Sequence, residues 1–225
     1  MARPKLTVYL DIISPFAYMA FYVTKNSPIF KQCDVNYVPI FLGGLMQKCN
    51  NRPPIEIKNK GPYIFHQRER WATRFNIPFA PSSPEPFPQL TLQVQRTLCA
   101  IMLTQPASTL DACFAALYHA FWVDLVSPIN KPENFVPVLS KAVGGGEAGD
   151  KLAKEMFEKG NSAEAKKLLA GNTEQAFQEG AFGLPWFVAT DAEGKKEGFW
   201  GFDHLGQVVD HLGLERVGSG YRAML

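Results

Sequence analysis

The sequence predicts an α/β protein in which a sheet-forming domain is interrupted by an all-helical insertion. Three observations lead to this prediction. Residues 6–40 carry a strand, a helix and a second strand, and residues 172–225 carry a helix, two strands and a helix. The residues between them have apolar side chains at intervals of three and four, which indicate helices, and few of the β-branched runs that indicate strands.

The N-terminal unit begins with the strand LTVYLD at residues 6–11. Ser14 and Pro15 then mark the start of a helix. Ser suits the N-cap, and Pro suits the first helical position because its missing N–H is not needed there. A second strand, VNYVPI, follows at residues 35–40. A right-handed crossover through the helix would make the two strands parallel.

Residues 41–63 differ in character, because they are rich in Gly, Asn, Pro and Lys. We expect an ordered loop that leaves the sheet, and long loops in compact domains are often functional. Helical patterns follow at residues 63–75, 89–103, 108–125, 132–143, 146–159 and 161–170.

The C-terminal unit returns to the α/β pattern. A helix at residues 172–183 ends in Gly, a hairpin joins strands at 186–190 and 197–200, and a closing helix follows with Asp203 as its N-cap. With the middle removed, the order βαβ-αββα is that of the thioredoxin fold. We therefore assign residues 1–42 and 172–225 to a thioredoxin-like domain and residues 43–171 to an inserted helical domain.

Composition excludes several classes of function. The formal net charge is +2 and the cations are scattered, so we expect no nucleic-acid partner. No apolar run approaches the roughly 20 residues that span a bilayer, so we expect no membrane partner. Neither CxxC pairs nor His at zinc spacing occur near the cysteines, which predicts free thiols, no metal and an intracellular protein. The four cysteines are Cys33, Cys49, Cys99 and Cys113.

Several short motifs, in matching order along nearly the whole chain, carry a family resemblance. They are DIISPFAY, NNRPP, NKGPY, GAFGLPWF and GFWGFDHL. The chain resembles the kappa-class glutathione transferases, which are related to the bacterial 2-hydroxychromene-2-carboxylate isomerases and, more distantly, to DsbA-type oxidoreductases. The resemblance implies a homodimer that uses glutathione as co-substrate and attacks a small electrophile.

By this resemblance, Ser14 replaces the first cysteine of a CxxC turn, and Ala17 stands where the second would be. Dithiol-disulfide chemistry is therefore excluded at this turn. The start of a helix favours an anion, so the resemblance implies that Ser14 donates a hydrogen bond to the glutathione thiolate, with Pro15 and Phe16 beside it. A plain N-cap is the alternative role for Ser14.

The resemblance assigns glutathione contacts to two further segments. It implies a cis bond between Leu184 and Pro185, which leaves the backbone of Leu184 free to bind the cysteinyl unit as a short added strand. It also implies that Phe202 and Asp203 meet the γ-glutamyl unit. The family often has Ser before this Asp, so Phe202 can serve only through its backbone. A plain N-cap is again the alternative for Asp203.

The long loop supplies the remaining predicted contacts. By resemblance, Asn51 and Lys60 reach over the ligand, and Asn50 is the alternative to Asn51 in a shifted register. Lys60 suits the glycyl carboxylate or an acidic second substrate. The aromatic residues predicted to line an apolar substrate pocket, with simple core packing as the alternative, are Tyr63, Phe65 and Trp71.

Three hypotheses of function follow. The first is a glutathione transferase, the second is a glutathione-dependent 2-hydroxychromene-2-carboxylate isomerase, and the third is a non-catalytic binder of thiols. The C-terminal residues Ala223, Met224 and Leu225 weakly resemble a peroxisomal signal. Mitochondrial, peroxisomal and cytoplasmic locations all stay open.

Overall fold

The computed structural model describes residues 2–216, which form a four-stranded sheet and helices that pack against it. Short 3₁₀ helices occur at Pro28–Gln32, Pro54–Glu56 and Phe202–His204. The main elements are β1 (Lys5–Leu10), α1 (Pro15–Asn26), β2 (Asp34–Pro39), α2 (Leu42–Lys48), α3 (Lys60–Arg74), α4 (Leu92–Thr104), α5 (Ala107–Trp122), α6 (Pro132–Ala142), α7 (Gly146–Gly160), α8 (Ala163–Gln178), β3 (Trp186–Thr190), β4 (Lys196–Trp200) and α9 (Leu205–His211).

The sheet has the order β2-β1-β3-β4, with β1 and β2 parallel and the other neighbours antiparallel. Leu6, Val8 and Leu10 of β1 are fully buried, so this strand forms the centre of the core. Because β1 and β2 are parallel, their carboxyl ends lie at the same edge of the sheet. The Ser14 turn and the segment after β2 start from that edge. The predicted α/β class and thioredoxin-like order of elements are confirmed.

The helices between β2 and β3, here called the insertion, are joined to α1 by aromatic packing from α5. The rings of Tyr18 and Tyr118 stack with their centroids 5.3 Å apart, and Phe114 packs on Phe21 at 5.9 Å. The indole N–H of Trp122 donates a hydrogen bond of 2.9 Å to the C=O of Ile12. The insertion therefore packs against the first helix of the chain.

The segment predicted as a loop at residues 41–63 is partly helical, because α2 begins directly after β2 and α3 begins at Lys60. Two long-range hydrogen bonds hold the start of α2. The backbone N–H of Phe41 donates to the hydroxyl of Thr173, and that of Leu42 donates to the carboxylate of Asp11. These distant acceptors stabilise a helix start that the Gly residues alone disfavour.

The two helices predicted at residues 161–170 and 172–183 are one helix, α8, and its N-cap is Ser162. A break at Gly171 was expected because Gly is a weak helix former. The buried residues that follow it keep the helix intact, since the amide of Asn172 donates to the C=O of Pro39. The predicted boundary between residues 171 and 172 therefore falls inside a helix.

The prediction that Asp203 caps the closing helix is wrong. Residues Phe202–His204 form a 3₁₀ turn, and α9 begins at Leu205 with His204 at its N-cap position. The Asp203 side chain is 60% exposed, and its Oδ1 lies 3.5 Å from the Nδ1 of His204. The turn is entered instead through Gly201, whose φ of 92° suits a residue without Cβ.

Candidate functional site

Ser14 lies in the turn between β1 and α1 and is only 6% exposed. Its Oγ accepts the backbone N–H of Ala17 at 3.2 Å, and its own N–H donates to the C=O of Asp11 at 3.1 Å. Within residues 2–216, nothing accepts a hydrogen bond from the Ser14 hydroxyl or from the N–H of Phe16. The helix start therefore keeps two donors available beside the Pro15 ring.

The second segment is the loop that enters β3 through Leu184 and Pro185. The bond between them is cis. Among the described residues, none forms a hydrogen bond with the backbone N–H or C=O of Leu184. The C=O of Pro185 accepts the N–H of Gly201 at 3.0 Å, so this loop is tied to the start of the third segment.

Phe202 and Asp203 form the third segment. The Phe202 ring is buried and packs edge-on against Trp71 and Phe75, with centroid distances of 5.7 and 5.4 Å. Its side chain is therefore part of the core, and only its backbone could contact a ligand. The Asp203 carboxylate is exposed, and within residues 2–216 only His204 lies within ion-pair distance of it.

Asn51 lies beside the Leu184 loop. Its side-chain amide donates to the C=O of Phe182 at 2.8 Å, and its Oδ1 accepts the N–H of Arg52. Asn50 takes a positive φ of 52° and has no side-chain contact of this kind within the described residues. The structure thus brings Asn51, rather than Asn50, to this loop.

Lys60 begins α3 and is exposed, without an ion pair in the described part of the chain. The three aromatic residues of the predicted substrate pocket do not share one surface. Tyr63 is 62% exposed, Phe65 packs against the Arg68 guanidinium at 5.4 Å, and Trp71 packs on Phe202. No described contact joins Tyr63 to Phe65 or Trp71.

Two buried charged residues near the site were missed by the sequence prediction. Asp11 is fully buried directly after β1 and receives four hydrogen bonds. Burial raises the pKa of its carboxyl, and the hydrogen bonds oppose that rise. A charge three residues before Ser14, at the end of an apolar strand, was the available signal.

Arg68 is the second missed residue, and it is only 3% exposed. Its guanidinium lies near the rings of Phe65 and Phe79 and donates to Ser83 Oγ at 3.2 Å. Burial lowers the pKa of this guanidinium. Phe79 also packs on Tyr18 at 4.8 Å, so Arg68 is linked through one ring to the helix that begins at Ser14.

Two surface grooves of about 550 and 560 Å³ are present, one along α3 and one between α2, α4 and α8. Neither includes Ser14, Leu184 or Asp203, while Trp71 lines the first. Over residues 2–216, no helix is long and apolar enough to cross a bilayer, and no three His, Cys, Asp or Glu side chains cluster as a metal site would require.

The fold and the turn at Ser14 define a thioredoxin-fold protein in which Ser14 and Ala17 stand where a CxxC turn would have its two cysteines. The model of the DsbA-like thioredoxin domain matches residues 5–213, and the chain belongs to that family. The predicted family resemblance is also confirmed by the following comparisons with individual proteins.

Glutathione S-transferase kappa 1 of Caenorhabditis elegans is 29% identical over 215 residues, which cover 93% of this chain and 91% of that protein. The 2-hydroxychromene-2-carboxylate isomerase of Sphingobium xenophagum is 25% identical, over 91% of this chain and 95% of that protein. A solved structure of a 2-hydroxychromene-2-carboxylate isomerase superimposes with a TM-score of 0.76 at 19% identity, covering 93% of this chain and 94% of the other.

Proposed function

We propose that this protein is a glutathione transferase, in which Ser14 stabilises the thiolate of bound glutathione for attack on a small electrophile. The observation that carries the proposal is the available Ser14 hydroxyl at the start of α1, beside the equally available N–H of Phe16. Similarity to a kappa-class glutathione transferase over most of the chain supports it.

The free energies are of the right size for this role. Lowering a thiol pKa by roughly two units requires about 2.7 kcal/mol. A helix start contributes about 0.3–1 kcal/mol, and up to ~2 kcal/mol in partly buried sites. A hydrogen bond to a charged acceptor adds about 1.5–3 kcal/mol. The two effects together are sufficient, whereas the helix start alone is not.

In the proposed reaction, the glutathione thiol loses its proton to water. The sulfur lone pair then forms a C–S bond with the electrophile, and a leaving group departs with its bonding electrons. The Ser14 hydroxyl acts only as a donor and needs no general base. Leu184 offers its backbone N–H and C=O to the cysteinyl unit, and Asp203 offers a carboxylate to the γ-glutamyl ammonium.

Asn51 and Lys60 complete the proposed glutathione site from the side of the insertion. Asn51 holds the loop before Leu184, and Lys60 supplies a cation for the glycyl carboxylate or for an acidic second substrate. The homodimer, the electrophile and the compartment stay predictions. Residues 223–225, which carry the weak peroxisomal signal, lie outside the described residues.

The decisive experiment compares two serines with the same local geometry. Ser14 accepts the N–H of Ala17 at 3.2 Å, and Ser162 accepts the N–H of Ala165 at 3.2 Å at the start of α8. We expect Ser14→Ala and Ser162→Ala each to lower the free energy of unfolding by about 1 kcal/mol, because each removes a helix cap.

Only Ser14→Ala should remove the ultraviolet absorbance of the bound thiolate at neutral pH and the conjugation of a chromogenic electrophile. Equal thiolate fractions in the wild type and Ser14→Ala would disprove the assigned role. Binding of glutathione without acceleration of any electrophile would favour the non-catalytic binder.

The second candidate function is a glutathione-dependent isomerase, favoured by the similarity to a 2-hydroxychromene-2-carboxylate isomerase in both sequence and structure. The same thiolate would add to the substrate and leave again. Turnover of a hydroxychromene carboxylate without net consumption of glutathione would establish it. Ser14→Ala would impair both reactions, so the balance of glutathione distinguishes them.

A further inference from the structure

Asp11 connects three separate parts of the chain through one carboxylate. Its Oδ1 accepts the backbone N–H of Ile13 at 3.2 Å, the hydroxyl of Thr91 at 2.7 Å and the side-chain amide of Gln95 at 2.8 Å. Its Oδ2 accepts the backbone N–H of Leu42 at 2.9 Å. The carboxylate therefore holds the turn that precedes Ser14, the start of α2 and the start of α4.

Two of these parts, the turn and α2, lead to different sides of the proposed glutathione site. Ile13 directly precedes Ser14. Helix α2, which begins at Leu42, leads to Cys49 and Asn51, and these residues donate to the C=O groups of Ala181 and Phe182 in the loop before Leu184. Two hydrogen bonds to one buried side chain thus link the Ser14 turn to the start of α2, and α2 leads to the residues that contact the loop before Leu184.

The carbonyl groups of the same turn are held from the insertion. Tyr118 Oη donates to the C=O of Asp11 at 3.3 Å, and Trp122 Nε1 donates to the C=O of Ile12 at 2.9 Å. The amide of Gln95 is turned toward Asp11 although its Oε1 is then buried without a partner in the described residues. Donors from α5 therefore hold the backbone of the turn, and donors at the start of α4 hold the Asp11 side chain.

We propose that Asp11 is a positioning residue, which sets the placement of the Ser14 turn relative to α2 and thereby the thiolate fraction of bound glutathione. This inference rests on the proposed function. A carboxylate suits the position because both of its oxygens accept from backbone N–H groups. An Asn side chain has the same size but a single acceptor oxygen, so at least one N–H group would lose its partner.

The test measures the thiol pKa of bound glutathione in Asp11→Asn. A displaced Ser14 donor stabilises the thiolate less, so we expect the thiol pKa to rise and kcat/KM to fall about tenfold or more. A charge effect has the opposite sign, because loss of a nearby carboxylate charge would lower the thiol pKa. A lowered pKa would therefore overturn the positioning role.

Gln89→Leu is the matched control. The Gln89 side chain is buried, accepts the backbone N–H of Ile129 at 2.7 Å and donates to Ser127 and Pro86 inside the insertion. It touches none of the proposed glutathione contacts. We expect it to lower stability while the thiol pKa stays unchanged. An equal rise of the pKa in both variants would show a general loss of stability and overturn the proposal.

Thr91→Val is the second variant, and it replaces Asp11→Asn in the test if Asp11→Asn does not fold. It removes one of the four donors with little change of shape, and we expect an intermediate rise of the thiol pKa. Amide hydrogen exchange provides a reading that does not need glutathione. The N–H groups of Ile13 and Leu42 should exchange faster in Thr91→Val than in the wild type, and unchanged exchange would overturn the proposal.

These readings also separate the two proposals. A wild type that shows no thiolate signal with glutathione would disprove the proposed function and, with it, the inferred effect of Asp11 on the thiolate fraction. Amide hydrogen exchange at Ile13 and Leu42 would then be the measurement that tests whether Asp11 positions the turn.

Discussion

The side-chain amide of Asn51 donates a hydrogen bond of 2.8 Å to the backbone C=O of Phe182. This contact joins the segment after α2 to the loop that leads to Leu184. Cys49 makes a parallel contact, because its Sγ lies 3.4 Å from the C=O of Ala181. The long segment after β2 is therefore attached to the loop that carries the proposed backbone contacts of glutathione.

Cys49 should be the first cysteine to react with iodoacetamide at neutral pH. Burial raises the pKa of Cys33 to about 11 and those of Cys99 and Cys113 to about 12, so few of these thiols are ionised. Cys49 is only half-buried. Mass spectrometry of the alkylated peptides identifies the site, and Cys49→Ser should abolish the early modification.

Bound glutathione should slow this alkylation, because a ligand on the backbone of Leu184 stabilises the loop to which Cys49 is attached. Because the glutathione thiol itself consumes iodoacetamide, the rate is measured with a tripeptide that lacks the thiol but retains the backbone, and this ligand should protect as well. Alkylation of Cys49 at the same rate with and without this tripeptide at saturation would place the ligand away from this loop.

The hydrogen bonds of the Glu179 carboxylate lead us to expect that the free energy of unfolding decreases in acid. Tyr9 Oη donates to it at 2.7 Å and Lys196 Nζ at 2.6 Å, so it links β1, α8 and β4. Burial raises the pKa of Glu179, but the hydrogen bonds from Lys196 and Tyr9 outweigh burial and hold the pKa below its ordinary value. A lowered pKa in the folded state stabilises the protein above the unfolded pKa, and this stabilisation disappears as the pH falls through the folded pKa.

Denaturant unfolding at neutral and acidic pH measures this effect. We expect the wild type to lose up to about 1 kcal/mol more than Glu179→Gln over that interval. Glu193→Gln is the control, because the Glu193 carboxylate has no ion pair within residues 2–216. A Glu179→Gln variant as sensitive to acid as the wild type would mean that other carboxylates cause the loss.

The strands of the sheet and the first helix were predictable because local signals and tertiary contacts agree there. The apolar strand before Ser14 and the Ser-Pro helix start both describe what the chain does locally, and the structure keeps them. The same holds for the strands at Trp186–Thr190 and Lys196–Trp200.

Predictions failed where a distant group decides the local structure. Helix α2 starts on acceptors from Asp11 and Thr173, which lie 31 and 132 residues away along the chain. Gly171 does not end α8, because the buried Asn172 anchors the helix to β2. Asp is a residue type that often caps helices, but at Asp203 the chain forms the turn Phe202–His204, which is entered through Gly201. No local pattern contains these relationships.

Asp203 should govern recognition of the amino group of glutathione. Its exposed carboxylate makes no cap hydrogen bond, so Asp203→Asn should leave stability nearly unchanged. We expect the Kd for glutathione to rise about fivefold, since an exposed ion pair contributes up to about 1 kcal/mol. Calorimetry gives this Kd, and the effect should weaken at high salt.

The matched control is Asp34→Asn, because the Asp34 side chain is 59% exposed, close to the 60% of Asp203, and pairs with Arg3 at the other end of the sheet. A glutathione analogue without the γ-glutamyl amino group isolates the contact. Asp203→Asn should bind this analogue as well as the wild type does, because the partner cation is absent. An equal loss of affinity for glutathione and for the analogue would show that Asp203 acts on the shape of the Phe202–His204 turn and not on the ammonium.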